Sequence, residues 1–219
     1  MTLIAENFEN VRTVIAETAQ AYDRDPVSVT LVAVSKKQPQ EKLIEALALG
    51  HRVFGENRVQ EAQEHWAALK AQYPDLSLHL IGPLQTNKAK EAVALFDVIE
   101  TVDRPDIVRA LAREMKKQNR FPACLVQVNT GEEEQKAGVW PSDLPMLLDL
   151  CKEEGLHVSG LMCIPPVDDP AAVHFAFLRK LARRHELPRL SMGMSADYEQ
   201  AIPLGASYVR VGTALFGER

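Results

Sequence analysis

Thr30-Leu31-Val32-Ala33-Val34-Ser35-Lys36-Lys37-Gln38-Pro39 opens as an apolar, β-branched run and breaks into two lysines and a proline. Branched side chains favour extended backbone and proline ends it, so the run reads as a short buried strand leading into a loop. Beyond Pro39, Leu43, Ile44, Leu47 and Leu49 recur at helical spacing, and Gly50 closes the segment. Strand, loop, helix is the phrase. It recurs as 52–54 then 57–71, 76–81 then 85–96, 97–101 then 105–118, 123–128 then 144–154, 157–162 then 171–185, 189–191 then 196–203, and 207–211 before the terminal 212–217. Ahead of all of these, Ile4, Phe8, Val11 and Ile15 mark one more amphipathic helix.

Strands that alternate strictly with helices must pair in parallel, with both sheet faces covered. Eight such units in 219 residues predict a closed (β/α)₈ TIM barrel with an extra N-terminal helix. A doubly wound open sheet is the structural rival. No Gly/Ser-rich linker, low-complexity tract or repeated motif divides the chain, so residues 1–219 are expected to form a single domain.

Composition narrows the partners. Twenty-five basic against thirty acidic side chains leave a net charge of −5, and no Lys/Arg block is long enough to track a phosphate backbone, which argues against nucleic acid. No apolar run approaches the length of a membrane span. Cys124, Cys151 and Cys163 are odd in number, far apart and set among apolar neighbours, as in a reducing compartment. With an amphipathic first helix in place of a signal peptide, the expected location is the cytoplasm.

In a parallel barrel the reactive groups lie on the loops that leave the C-terminal strand ends. Alternation along the first strand puts Val32, Val34 and Lys36 on one face and Ala33, Ser35 and Lys37 on the other, so one lysine alone can point inward. A lysine at an apolar rim beside another cation is discouraged from holding its proton, and the neutral amine forms an imine with a carbonyl. Two solvated loop lysines are the alternative.

Between the seventh strand and its helix, Ser191-Met192-Gly193-Met194-Ser195-Ala196-Asp197 offers backbone N–H groups and a hydroxyl as an anion cradle, or else Ser195 is an ordinary helix cap. The segment nearly spells a hydrolase nucleophile elbow, but the closing glycine is absent and the order of elements is wrong. In Ser207-Tyr208-Val209-Arg210-Val211-Gly212-Thr213 an arginine sits inside a strand that should be buried, where a permanent charge needs a partner. It serves either a ligand or an ion pair with a neighbouring strand's acid. Gly212 and Thr213 then offer a second donor loop where barrels commonly bind phosphate.

Three further rim positions stay open. Asn57 faces a ligand or caps the following helix, and His79 is a core histidine or a catalyst. The loop Asn129-Thr130-Gly131, with Lys136 and Gly138, carries Glu132-Glu133-Glu134 as a solvated face. The six histidines show no metal-ligand spacing, and neither a P-loop nor Gly-x-Gly-x-x-Gly occurs. What remains is an amine at strand one opposite a phosphate site at strands seven and eight, a layout that suits a phosphorylated aldehyde.

Ala33-Val34-Ser35-Lys36, Phe54-Gly55-Glu56-Asn57, His79-Leu80-Ile81-Gly82-Pro83-Leu84-Gln85-Thr86-Asn87-Lys88, Gly160-Leu161-Met162, Leu190-Ser191-Met192-Gly193-Met194-Ser195 and Val209-Arg210-Val211-Gly212-Thr213-Ala214-Leu215-Phe216-Gly217 together resemble the pyridoxal phosphate homeostasis protein family, relatives of the alanine racemase N-terminal barrel. The resemblance implies that Lys36 forms the internal aldimine with pyridoxal 5′-phosphate (PLP). It also implies that Met194, Ser195, Gly212 and Thr213 hold the phosphate, that Arg210 faces the pyridine nitrogen, and that Asn57 lines the pocket. It assigns no role to Lys37. Cys163 departs from the small residue usual at its place, which leaves open a thiol near the mouth.

An arginine at the ring nitrogen keeps it unprotonated and weakens the ring as an electron sink. Racemases of the related fold add a β-rich domain and a partner's tyrosine, for which this chain holds no further residues, and Lys36 is the one evident acid–base group. The resemblance therefore implies a monomeric, cytoplasmic PLP-binding protein that limits free PLP and supplies it to apo-enzymes. A monomeric PLP-dependent racemase or lyase, with His79 or Tyr208 as second proton carrier, is the leading alternative. A cofactor-free Schiff-base aldolase using Lys36 is the weaker one.

Overall fold

The computed structural model describes residues 2–218. Helix α1 (Leu3–Ala21) is capped by Thr2, whose Oγ1 accepts from the Ala5 N–H at 3.3 Å, and it buries Ile4, Phe8, Val11, Ile15 and Ala19 on one face. Eight strands follow: β1 (Thr30–Val34), β2 (Val53–Glu56), β3 (Ser77–Leu80), β4 (Val98–Val102), β5 (Ala123–Gln127), β6 (Val158–Met162), β7 (Arg189–Met194) and β8 (Tyr208–Val211). They alternate with α2 (Gln40–Ala48), α3 (Val59–Gln72), α4 (Ala89–Leu95), α5 (Pro105–Gln118), α6 (Leu144–Glu154), α7 (Ala171–Arg184), α8 (Tyr198–Ala201) and α9 (Thr213–Phe216).

The strands pair in chain order, all parallel, and β8 returns to β1 with Leu31 opposite Val209. That closing pair excludes the open doubly wound sheet: the fold is the expected (β/α)₈ barrel. Two strands run further than their apolar residues indicate, β2 to Glu56 and β7 to Met194. Helix α8 is shorter than the 196–203 expected, beginning at Tyr198 because Asp197 turns back to accept the Met194 N–H at 2.6 Å. Since α8 and α9 have four residues each, they leave the outer ring thin, and α1 thickens it there. Phe8 packs edge-on against Phe216 at 5.8 Å, and Asn7 donates to the Leu215 carbonyl. Burying each large apolar side chain of this kind stabilises the fold by about 1.5–3 kcal/mol.

Strand alternation sorts the core into two layers. Leu31, Ala33, Phe54, Leu78, Leu80, Val209 and Val211 face the helices and join the main apolar cluster. The barrel interior has a much smaller apolar patch of Val98, Leu125 and Met162. It also holds buried polar side chains, among them His79, Glu100, Ser191 and Arg210. Among the described residues no helix is long and apolar enough to cross a membrane.

Candidate functional site

The strands aim their C-terminal loops at one end of the barrel, and there a cavity of about 290 Å³ is lined by Lys36, Asn57, Met194, Ser195, Arg210, Gly212 and Thr213. These are the seven residues singled out in the sequence. Val34, Ile81 and Ile164 supply apolar wall. Lys37 diverges from its neighbour: it is exposed, with a left-handed φ of 58°, and its N–H donates to the Glu61 carboxylate. The two lysines thus part at the turn, Lys36 into the cavity and Lys37 to solvent, as the alternation predicts.

The lysine turn is braced from the helix side. Glu56, fully buried, accepts through Oε1 from Ser35 Oγ at 2.6 Å and from Trp66 Nε1 at 3.0 Å, with His65 Nδ1 also at 3.0 Å. The hydrogen bond to Glu56 raises the His65 pKa above its ordinary 6.5. Glu56, Glu61 and His65 bring ligand-capable atoms within 4.8 Å of one another, a cluster that spacing does not reveal. Glu56 and His65 are bonded to each other, and Glu61 holds the Lys37 amide, so the cluster serves as a brace.

Arg210 lies in the barrel interior, 3% exposed. Its Nη1 donates to Ser191 Oγ at 2.6 Å and its Nη2 to the Cys163 carbonyl at 2.8 Å. Across the barrel Glu100 Oε2 is 3.9 Å from Nη1 and accepts from Ser191 Oγ at 2.5 Å, while Glu100 Oε1 is 2.6 Å from His79 Nδ1. Burial alone would push the Glu100 carboxyl up, yet hydrogen bonding and charge from His79, then Arg210 and Ser191, hold it below its ordinary range. Arg210 therefore stands in an ion pair, with a strand across the barrel in place of the neighbouring strand expected, and it also lines the cavity. Residue types alone missed Glu100, which lies in Val98-Ile99-Glu100-Thr101-Val102. The signal is the one that marks Arg210, a charge inside a buried strand.

Two cap readings fail. The Ser195 hydroxyl accepts from the Gly212 N–H at 3.2 Å and the Ala214 N–H at 3.5 Å, tying the β7 loop to the β8 loop instead of capping α8. Gly193, with φ 92°, makes this turn possible, since a Cβ there would lie 2.7 Å from the Ala201 Cβ. Asn57 makes no helix cap either, as α3 starts from Arg58 without a side-chain cap bond. Its backbone packs so closely against Gly82 that a Cβ at 82 would sit 2.3 Å from the Asn57 carbonyl oxygen. His79 is a satisfied core histidine, 2% exposed. The Cys163 thiol is buried, and burial pushes its pKa up to about 12. In the 129–138 loop, Asn129 bonds the backbone of Glu133, Lys136 pairs with Glu133, and Glu132 and Glu134 are exposed.

Residues 4–219 match the family described as alanine racemase, N-terminal domain. The chain is 45% identical to the pyridoxal phosphate homeostasis protein of Pseudomonas aeruginosa, covering 100% of this chain and 97% of that protein. It is 36% identical to the protein of the same name from Escherichia coli K12, covering 100% and 98%. Among solved structures, PipY of Synechococcus elongatus with PLP bound superposes with a TM-score of 0.78 at 40% identity, over 93% of this chain and 100% of that one. An alanine racemase of Clostridium difficile shares the fold, with a TM-score of 0.74 at 14% identity, over 98% of this chain and 57% of the racemase.

Proposed function

Because the chain belongs to the pyridoxal phosphate homeostasis protein family, built on the alanine racemase N-terminal barrel, we propose that it holds PLP in the Lys36 cavity and serves vitamin B6 homeostasis and supply in the cytoplasm. What supports this reading above all is one small cavity lined by an amine and by two donor loops.

The residues suit the ligand. PLP supplies an aldehyde that condenses reversibly with a primary amine, together with a ring nitrogen and a doubly negative phosphate ester. Lys36 provides the amine. The hydroxyls of Ser195 and Thr213, with the Gly212 and Ala214 N–H groups that meet at Ser195 Oγ, are the chemistry a phosphate needs at strands seven and eight. Arg210, permanently charged and held by Ser191 and the Cys163 carbonyl, disfavours a proton on a ring nitrogen beside it. Asn57 offers an amide at the rim.

Racemisation needs a second acid–base group beside the cofactor. His79 is committed to Glu100, and Tyr208 packs on His79 at 5.1 Å; neither lines the cavity. The balance favours a monomeric carrier that passes PLP to apo-enzymes over a racemase, a lyase or an aldolase. The visible spectrum tests the reading. Protein incubated with PLP should show a yellow band that borohydride bleaches, and folded Lys36→Ala should lack it; a band unchanged in that variant contradicts the assignment.

A further inference from the structure

Beside the Lys36 cavity lies a larger cleft of about 790 Å³, and the two share Asn57 as a common wall. The cleft is formed where β2, β3 and β4 run out into their loops, and it takes Arg58 from the first, Lys88 from the second and Arg104 from the third. Gln60 and Gln85 add neutral polar groups, and among the described residues no carboxylate lines it. On a chain of net charge −5 this is a local reversal of sign.

Neutralisation of the three cations is incomplete. Arg104 is fixed in place, with Nη1 on Asp103 at 2.6 Å and Nη2 on the Leu84 carbonyl at 2.9 Å. Lys88 is 3.7 Å from Glu91. Arg58 is exposed and has no ion-pair partner among the described residues. A concave, small-molecule-sized space under a positive field concentrates anions, and guanidinium groups match carboxylates in shape as well as charge.

We infer that this cleft is a binding site for the carboxylates of an acidic amino acid, whose amino end lies toward Asn57 and the Lys36 cavity. The choice of an amine rests on the reading of Lys36 given above; the charge preference stands on the cleft alone. The site would let the protein distinguish glutamate or aspartate from their neutral amides next to the cofactor.

Calorimetric titration of the protein without added PLP, using L-glutamate and the isosteric L-glutamine, tests this. Glutamate should bind roughly tenfold tighter, as expected for an added charge-assisted contact. The ratio should collapse toward one in the double variant Arg58→Ala/Lys88→Ala and in the milder Arg58→Gln/Lys88→Gln, and it should survive Lys36→Ala. Equal binding of the two amino acids, or a preference that persists in both double variants, overturns the inference. The PLP absorbance band, recorded on the same preparations, reports the Lys36 reading separately. Its loss with the glutamate preference intact would remove that reading and leave the charged site.

Discussion

The guanidinium of Arg210 and the carboxylate of Glu100 lie 3.9 Å apart inside the barrel, joined by the Ser191 hydroxyl, which accepts from the first and donates to the second. His79 closes the far side of the carboxylate. A residue that touches the cavity is thus set in position by three that do not.

Glu100→Gln keeps the shape and removes the charge, which leaves a buried guanidinium without its counter-ion. Breaking a buried pair this way costs about 3–5 kcal/mol. Denaturant unfolding at neutral pH should show a loss of that size, and PLP affinity should fall with it. Because the folded Glu100 carboxyl is held below its ordinary value, its contribution is complete above the unfolded value of about 4.3 and is lost as pH falls through the folded one. The stability gap between wild type and Glu100→Gln should therefore narrow in acid. A gap that is constant with pH would contradict the network.

His65 gives the opposite sign. Its pKa is raised, first by the hydrogen bond to Glu56, so the support it lends the lysine turn is present below about pH 6.5 and is lost as pH rises through the folded value. An NMR titration should place His65 above 6.5, and Glu56→Gln should bring it back down. An unshifted His65 in the wild type would remove the brace.

Gly193→Ala should destabilise the protein by about 1–3 kcal/mol, since the new methyl meets Ala201 and Tyr198 and the backbone stays left-handed. It should also weaken PLP retention, because the same turn carries Met194 and Ser195. Unfolding midpoints and equilibrium dialysis of PLP measure the two effects. A variant as stable as the wild type would show that the turn tolerates a side chain.

The barrel was legible because alternation is a strong signal: branched runs such as Thr30–Val34 and the face carrying Phe8 and Val11 leave few other folds for eight units. Strand ends were less legible, because Gly55-Glu56 and Gly193-Met194 extend their strands with residues that do not favour the conformation. Arg210 is conspicuous as a cation in a buried strand, and the Glu100 carboxylate is marked on the same ground. Asn57 and Ser195 each offered a cap or a ligand reading, which local sequence cannot separate. The choice depends on where Gly82 and Gly212 stand in space, and these are distant in the chain. Glu56 has partners at Ser35, just past β1, and on α3, and buried chemistry of that kind has no spacing rule.

The role of the cavity turns on which nitrogen carries the cofactor. Protein loaded with PLP, reduced with borohydride, digested and read by tandem mass spectrometry should carry the pyridoxyl group on Lys36 and not on the adjacent Lys37. A label on Lys37, or one spread over the surface lysines with Lys36 unmodified, would contradict it.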